Sequence, residues 1–371
     1  MTEALEVIVI GAGVIGCAAG RELARRGARV RLIEARAVGA GATHASAGVL
    51  APYIEGHGRG SLLQLSVRSL AMYDEFIADL RSESGLDIEF RRCGTLEIAA
   101  DEAAAAQQRA AADEYAGSGV EMRWLAPDVL RKAEPMLAET RSGALLVPEH
   151  GYVSVGQLTD ALSWAAVRHG AEIETAHRVT GVRRVRSRLE VSSEDGTCWM
   201  ADTVLNAAGA WAGTFGLTES AARDVRPVRG QMLRLLWHGT PPAHVLWGPD
   251  CYVVPWLDGT VLVGATMEEV GFDERTTAAG VRDLLEAVCE LVPEAWRASF
   301  IEARVGLRPA TSDGLPIIGQ SAELEAMFYA TGHFRNGILL APLTAQLVAD
   351  LILDGIQDPL LDITGVQRIR E

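Results

Sequence analysis

Cysteine is scarce in this chain and nowhere clustered: five residues (Cys17, Cys93, Cys198, Cys251, Cys289) are scattered over 371 positions without a C-x-x-C pair. An odd, dispersed set excludes a disulfide framework and a cysteine zinc site, and it fits a reducing cytoplasm. None of the eight histidines forms an H-x-x-H or H-E-x-x-H group, so no metal site is expected. Positive charge is also in deficit, with a net charge of -15 and a pI near 5.1. A nucleic-acid partner, which needs a cationic face, is therefore excluded. The apolar stretch from Val7 to Ala19 has no basic leader and is broken by glycines, which argues against a signal peptide and against stable membrane insertion. Internal repeats and low-complexity linkers are absent too, so any domains are expected to be interleaved rather than strung in series. What is left, 49% apolar and 22% charged residues, is an ordinary globular composition, long enough for two domains with a substantial core.

The N-terminus carries the first positive signal, LEVIVIGAGVIG over residues 5 to 16. The β-branched run EVIVI reads as a buried parallel strand, and VIGCAAGRELARR from Val14 to Arg26 as a helix closed by Gly27. ARVRLIE supplies the next strand and completes a βαβ unit. In that setting Gly11 makes the tight turn, Gly13 lets backbone approach a pyrophosphate, and Gly16 permits close helix packing. Glu34, eighteen residues after Gly16, stands where a carboxylate accepts the hydroxyls of an adenosine ribose. The small-residue loop ARAVGAGATHASAGVLAP that follows is unlike the short return to a third strand in a nicotinamide dehydrogenase, and it must approach something flat.

Further along, residues 62 to 80 have helical spacing, CGTLEIAAD reads as a strand, and a helix is expected around 101 to 116. Ser154 and Gln157 fit a capping box before LTDALSWAAVRHG. Ser154 is no nucleophile, since no G-x-S-x-G elbow surrounds it. After DTVLNAAGAWAG the period becomes two in QMLRLLW, DCYVVPW and TVLVGATM, with Asp258-Gly259 turning the last pair into a hairpin of an antiparallel sheet. A helix around 279 to 291 follows, and the chain closes with a strand, a glycine turn and a long helix in FYATGHFRNGILLAPLTAQLVADLILDG.

Taken together, IGAGVIG with Glu34, ATHASAGVLAPY, VLNAAGAWAG, RPVRGQML, CYVVP, LVGATMEEVGFD, GLRPATSDGLPIIG and GHFRNGILLAP resemble the FAD-dependent D-amino-acid and amine oxidases, and within them the glycine-oxidase group linked to thiamine synthesis. The resemblance covers nearly the whole chain. It implies a Rossmann-like α/β FAD-binding domain assembled from residues 1-88, 142-222 and 304-371, with an interleaved substrate domain of α+β, antiparallel or mixed-sheet type from 89-141 and 223-303. It places the cofactor against Gly11, Gly13, Val14, Ile15 and Gly16, and against Glu34, Ala35 and Arg36. A loop of Thr43, His44, Ala45, Ser46, Ala47, Gly48, Val49 and Leu50 wraps the flavin. Val179 and the segment Ala207, Ala208, Gly209 and Trp211 also touch the cofactor. Gly332, His333, Phe334, Arg335, Asn336, Gly337 and Ile338 present a helix N-terminus to the pyrimidine end, where reduced flavin is negative. No cysteine lies in SDGLPIIG, where sarcosine-oxidase relatives attach the flavin, so FAD is expected to be non-covalent.

The reaction so implied moves the Cα hydrogen of a small amino acid or amine to the flavin, and O2 becomes hydrogen peroxide. Arg308 in GLRP is the expected fork for the substrate carboxylate, and Tyr252 in CYVVP a second hydrogen-bonding partner, although a strand tyrosine is often plain core. Met267 would line the side-chain pocket unless it is mere packing. Arg335 is placed to reach substrate or flavin. Asp250 stands where the group has a histidine, which leaves substrate preference among glycine, sarcosine, D-amino acids and larger amines open. A dehydrogenase passing electrons to a quinone or protein acceptor, and a non-catalytic flavin-binding protein, are the alternatives, and self-association into a homo-oligomer is left open.

Overall fold

The computed structural model describes residues 4–55, 60–117, 119–217 and 219–369. Two sheets organise them. The first has six strands in the order Ile317–Gln320, Met327–Thr331, Thr203–Asn206, Glu6–Ile10, Arg29–Ile33, Glu172–Glu174. All pairs are parallel except the outermost, where Ile317–Gln320 runs against Met327–Thr331. Its central strand EVIVI is buried on both faces: Val7 and Val9 pack under helices Val14–Arg25, Val155–Arg168 and Gly337–Ala349, and Ile8 and Ile10 pack against a three-stranded sheet of Val179–Val185, Arg188–Ser193 and Cys198–Ala201. The strands come from three distant parts of the chain, so the interleaving expected from the absence of linkers is what the fold contains.

The second sheet has eight strands, from Ser299–Ala310 through Arg226–Leu236, Thr260–Gly264, Tyr252–Pro255, Val245–Trp247, Thr95–Ile98 and Ala144–Val147 to Arg123–Leu125. It is antiparallel apart from the pair Val245–Trp247 with Thr95–Ile98. Helix Ala278–Leu291 packs on it and shares its own hydrophobic core, with Leu233, Val253, Val263, Leu284 and Val288. The expected boundary at 142 falls just before a strand of this second sheet, and the one at 304 falls inside another.

Two local expectations need correction. Ser154 is the N-cap of helix Val155–Arg168, but its side chain makes no capping bond. Gln157 does not reach back either: its Oε1 accepts from the Glu89 amide at 2.6 Å. The reason is tertiary, since strand Phe90–Arg91 pairs with Gly151–Val153 and brings Glu89 beside the helix start. The single helix expected over 62 to 80 is two, Ser61–Ala71 and Tyr73–Ser84, parted at Met72.

That pair of helices completes the C-terminal one. Pro342 sits inside Gly337–Ala349 and has no amide to give the Ile338 carbonyl. Tyr73 Oη donates to that carbonyl at 2.5 Å. One residue on, Ser69 Oγ donates to Leu339 O at 2.6 Å and accepts from Leu343 N at 3.4 Å, so it bridges the ladder the proline disturbs. The stretch Gly337–Asp354 is long and apolar enough to cross a membrane, yet 67% of it is buried within this fold.

Candidate active site

A cavity of about 720 Å³ runs between the two sheets, a size in the usual range for cofactor sites. Its first end is built from the glycine turn. Gly11 has φ +100, and a Cβ there would lie 2.7 Å from the Ala207 carbonyl; one on Gly16 would lie 1.9 Å from the Gly11 carbonyl. Strand, turn and helix meet backbone to backbone, and only glycine allows it. Gly13 differs. Extended at the N-cap of helix Val14–Arg25, it would bring a Cβ against nothing closer than Thr43 Oγ1 at 3.2 Å. Its bare backbone leaves ground above the helix N-terminus, which an anionic pyrophosphate fits. Thr43 Oγ1 accepts the Val14 amide at 3.1 Å and ties the following loop to this end.

Glu34 ends the second strand of the βαβ unit with both oxygens oriented: Oε2 accepts from Ala12 N and Oε1 from Arg36 N, each at 2.8 Å. Its oxygens have further acceptor capacity on the cavity side, where ribose hydroxyls would donate. This combination of bare turn, helix N-terminus and fixed carboxylate fits a dinucleotide.

The turn at 332–338 borders the middle of the cavity. His333 is buried, pairs through Nε2 with Thr344 Oγ1 at 3.0 Å, and burial pushes its pKa down to about 3, so the ring is neutral. Phe334 takes φ 48 and donates its amide to Pro309 O at 2.8 Å, a left-handed conformation enforced by that bond. The turn delivers Gly337 and Ile338, in the first turn of the C-terminal helix, to the cavity wall. Amides there have no intrahelical acceptor.

The far end belongs to the second sheet. Arg308, on strand Ser299–Ala310, donates through Nη1 to Thr266 O at 2.9 Å and more weakly to Arg229 O at 3.4 Å. Its guanidinium lies over Gly230, where a Cβ would come within 2.3 Å of Cζ. Tyr252 is arranged the same way. It pairs with Gly264 across the hairpin, whose Cβ would sit 2.5 Å from the tyrosine Oη, and its ring stacks on Trp247 with centroids 5.2 Å apart.

Behind Arg308 lies the buried guanidinium of Arg229, bonded to Glu268 Oε2 at 2.5 Å. Hydrogen bonding from Arg229, with help from Gln231 and Thr266, holds the Glu268 carboxyl down at about 2. Among the described residues no cluster of His, Cys, Asp and Glu could hold a metal ion.

Of the residues singled out in the sequence, Gly11, Gly13, Val14, Ile15, Glu34, Ala35, Arg36, Thr43, Ala45 to Val49, Val179, Ala207, Ala208, Gly209, Trp211, His333 to Ile338, Arg308, Tyr252 and Met267 line this one cavity. Gly16, His44, Leu50 and Gly332 do not. His44 points outward from the loop, Leu50 is fully buried on the strand behind it, and Gly16 and Gly332 serve packing and turn geometry. Asp250 lines the cavity beside Tyr252.

The sequence reading missed Trp247, Thr266, Phe272 and Glu274. Trp247 was within reach of it, because Trp247 and Tyr252 pair across a Gly-Pro-Asp-Cys turn and so share a face. No pattern marks the other three.

Residues 6–351 match the DAO family, described as FAD dependent oxidoreductase. Glycine oxidase of Geobacillus kaustophilus (strain HTA426) is 36% identical over 358 residues, covering 95% of this chain and 94% of the relative. A crystal structure of glycine oxidase from Geobacillus kaustophilus superposes with a TM-score of 0.93 at 33% identity, covering 99% of this chain and 100% of the other. The structure of iminodiacetate oxidase (IdaA) from Chelativorans sp. BNC1 gives 0.89 at 28% identity, over 97% and 98%. Likeness of this extent along almost the whole chain shows that it belongs to the DAO family of FAD-dependent oxidoreductases, as an FAD-dependent amino acid oxidoreductase.

Proposed function

We propose that the protein oxidises glycine or another small amino acid or amine at the carbon bearing nitrogen, giving the imino product while O2 is reduced to H2O2. The observation that carries this reading is Arg308: a guanidinium oriented by two backbone carbonyls lines the same cavity as the nucleotide-binding turn. A carboxylate entering there meets a preformed fork. Tyr252 donates its hydroxyl to the same carboxylate, and with Trp247 it shields the bound group from water. Bound FAD supplies the acceptor for the hydride leaving Cα. The chain's own part is to hold Cα in register and to favour negative charge beside the helix that starts at Gly337, through its first amides and dipole. His333, kept neutral, adds no competing cation.

Met267 is 67% exposed at the rim, which leaves room for a substituent on nitrogen. Secondary amines such as sarcosine and iminodiacetate therefore join glycine as candidate substrates, in line with the activity named for the Chelativorans relative. Arg335 lines the same cavity and is assigned to the substrate side.

We assign the dinucleotide to Gly11–Ile15, Glu34–Arg36, Thr43, Ala45–Val49, Val179, the segment 207–211, His333, Phe334 and Asn336–Ile338, with the six-stranded sheet as the FAD domain and the eight-stranded sheet as the substrate domain. Binding is non-covalent: Cys251 is the one cysteine on the cavity wall among the described residues, and burial pushes its thiol up to about 12, so it offers no thiolate. Five unpaired, dispersed cysteines support a reducing cytoplasm as its setting.

A peroxide-coupled and oxygen-electrode screen of glycine, sarcosine, iminodiacetate and D-alanine tests the reading. Anaerobic bleaching of the flavin without oxygen uptake in air would move the assignment to a dehydrogenase, and no bleaching by any of them would leave a flavin-binding protein. Arg308→Ala is expected to lower kcat/KM for the carboxylate substrate by more than about tenfold, the loss of about 2 kcal/mol or more for one partner of a charge pair, with the flavin spectrum unchanged. Unaltered kinetics would sink the role of Arg308.

A further inference from the structure

Residues 266–277 join the end of strand Thr260–Gly264 to helix Ala278–Leu291 and cross from one end of the cavity towards the other. Both ends of this segment are fastened to the same two buried residues, Arg229 and Gln231. At its start, Glu268 accepts from Arg229 Nη2 at 2.5 Å and from Gln231 Nε2 at 2.7 Å, and Thr266 Oγ1 accepts from Gln231 N at 2.9 Å. At its end, Gln231 Oε1 accepts the Thr277 amide at 2.8 Å, while Arg229 Nη1 donates to Arg275 O at 3.2 Å and pairs with Asp273 at 3.1 Å.

Phe272 and Glu274, which alternate with the fastened Asp273 and Arg275, are different. Phe272 is 49% exposed although apolar, and its ring lies 5.8 Å from that of Trp211. Two residues on, the Glu274 carboxylate accepts from Arg36 Nη1 at 3.1 and 3.0 Å. The Arg36 guanidinium in turn lies 5.0 Å from the centroid of Trp211. Arg36 and Trp211 flank the nucleotide end, and its backbone amide holds Glu34. A piece of the eight-stranded unit thus touches the other unit at the dinucleotide end.

We propose that residues 266–277 form a strap that retains FAD, with Glu274–Arg36 and Phe272–Trp211 as its latch. The fastened ends and the half-exposed latch set how it works. Glu268, Asp273 and Arg275 are held to the buried Arg229 guanidinium, whereas the Phe272 and Glu274 side chains, which alternate with them, are held by one ring contact and one partly exposed ion pair, which open at far smaller cost. A dinucleotide bound without a covalent link leaves when these two side-chain contacts open. Because the latch includes an ion pair reached by solvent, salt loosens it.

The inference rests on the assignment of the dinucleotide to the Glu34 end of the cavity, and needs no turnover to test. Release of FAD from the purified holoprotein is followed as flavin fluorescence recovers on dilution, at low and high KCl. Glu274→Gln is expected to release FAD about threefold faster and Phe272→Ala about fivefold faster, magnitudes that follow from a weak ion pair and an aromatic contact. Phe272→Trp is expected to restore slow release, and Glu274→Gln to lose part of the acceleration by salt seen in the unaltered protein. Wild-type release from both single variants overturns the strap, as does slower release from Glu274→Gln, which would mean that Glu274 competes with the cofactor for Arg36. Glu34→Ala run alongside separates the two ideas. If it too releases FAD at the wild-type rate, the nucleotide assignment falls and the strap with it; if it alone releases faster, only the strap falls.

Discussion

The two ends of the cavity use glycine for opposite purposes. At the nucleotide end, Gly11 and Gly16 let backbone meet backbone, so the strand, the turn and the first helix close on one another. At the far end, Gly230 and Gly264 let a side chain lie where a neighbouring Cβ would be, so the Arg308 guanidinium and the Tyr252 ring extend flat over their own sheet. The first arrangement is structural in the strict sense, since nothing around it can give way. The second positions one flexible group at a time. A small added volume is therefore expected to unmake the first end and merely to misplace a side chain at the second.

Variants that press on this difference rank by size. Gly16→Ala, with its new methyl 1.9 Å from the Gly11 carbonyl, is expected to cost more than about 3 kcal/mol, above the usual penalty of overpacking because the obstruction is backbone. Purified protein should then carry little flavin and melt early; a flavin-replete variant would break the comparison. Tyr73→Phe removes the donor to the Ile338 carbonyl in the helix that begins at the cavity wall, and a denaturant midpoint should register about 1–3 kcal/mol for the buried acceptor left behind. Gly230→Ala should leave flavin content and melting nearly intact while kcat/KM for a carboxylate substrate falls about tenfold, as a displaced fork loses alignment. Equal damage to folding from Gly230→Ala and Gly16→Ala would erase the contrast.

Acid separates the middle of the cavity from its far end more gently. His333 is neutral in the fold, its pKa pushed from 6.5 to about 3 by burial, so its contribution to stability is full above the ordinary value and declines as pH falls from about 6.5 towards 3. Glu268, held down at about 2 from 4.5, stabilises the far end when ionised, and that contribution is lost only as pH falls from about 4.5 towards 2. Flavin fluorescence on acidification should accordingly rise at higher pH than the near-ultraviolet circular dichroism of the second sheet collapses. Coincident transitions would count against this ordering.

Legibility followed the same divide. LEVIVIGAGVIG and Glu34 could be read because the whole constraint lies within a short contiguous stretch, where strand, glycine spacing and helix are set by local rules. Arg308 was reached only through the resemblance of GLRP to a known family, since the carbonyls that orient it, at Thr266 and Arg229, come from register between separate strands. Glu274 and Phe272 carried no signal at all: their partners, Arg36 and Trp211, lie far away in the chain. Gln157 shows a local rule losing to a tertiary one, for its side chain has a capping role available and takes the Glu89 amide instead. Met72 shows the limit of periodicity, which sees apolar spacing across residues 62 to 80 but not the break between the two helices.

Pro342 bears on how the chain reaches this fold. The bonds that complete its helix come from Tyr73 and Ser69, 265 and 270 positions earlier than their acceptors. A nascent chain that has just released its C-terminal segment carries a helix whose first turns lack their acceptors' partners, and the missing donors were synthesised long before. Docking of that segment onto residues 61–84 is thus a late, long-range event, and a high contact order makes such events slow. Until it occurs, the helix start on the cavity wall is unfinished, so FAD is a ligand of the completed fold, which it then stabilises by mass action.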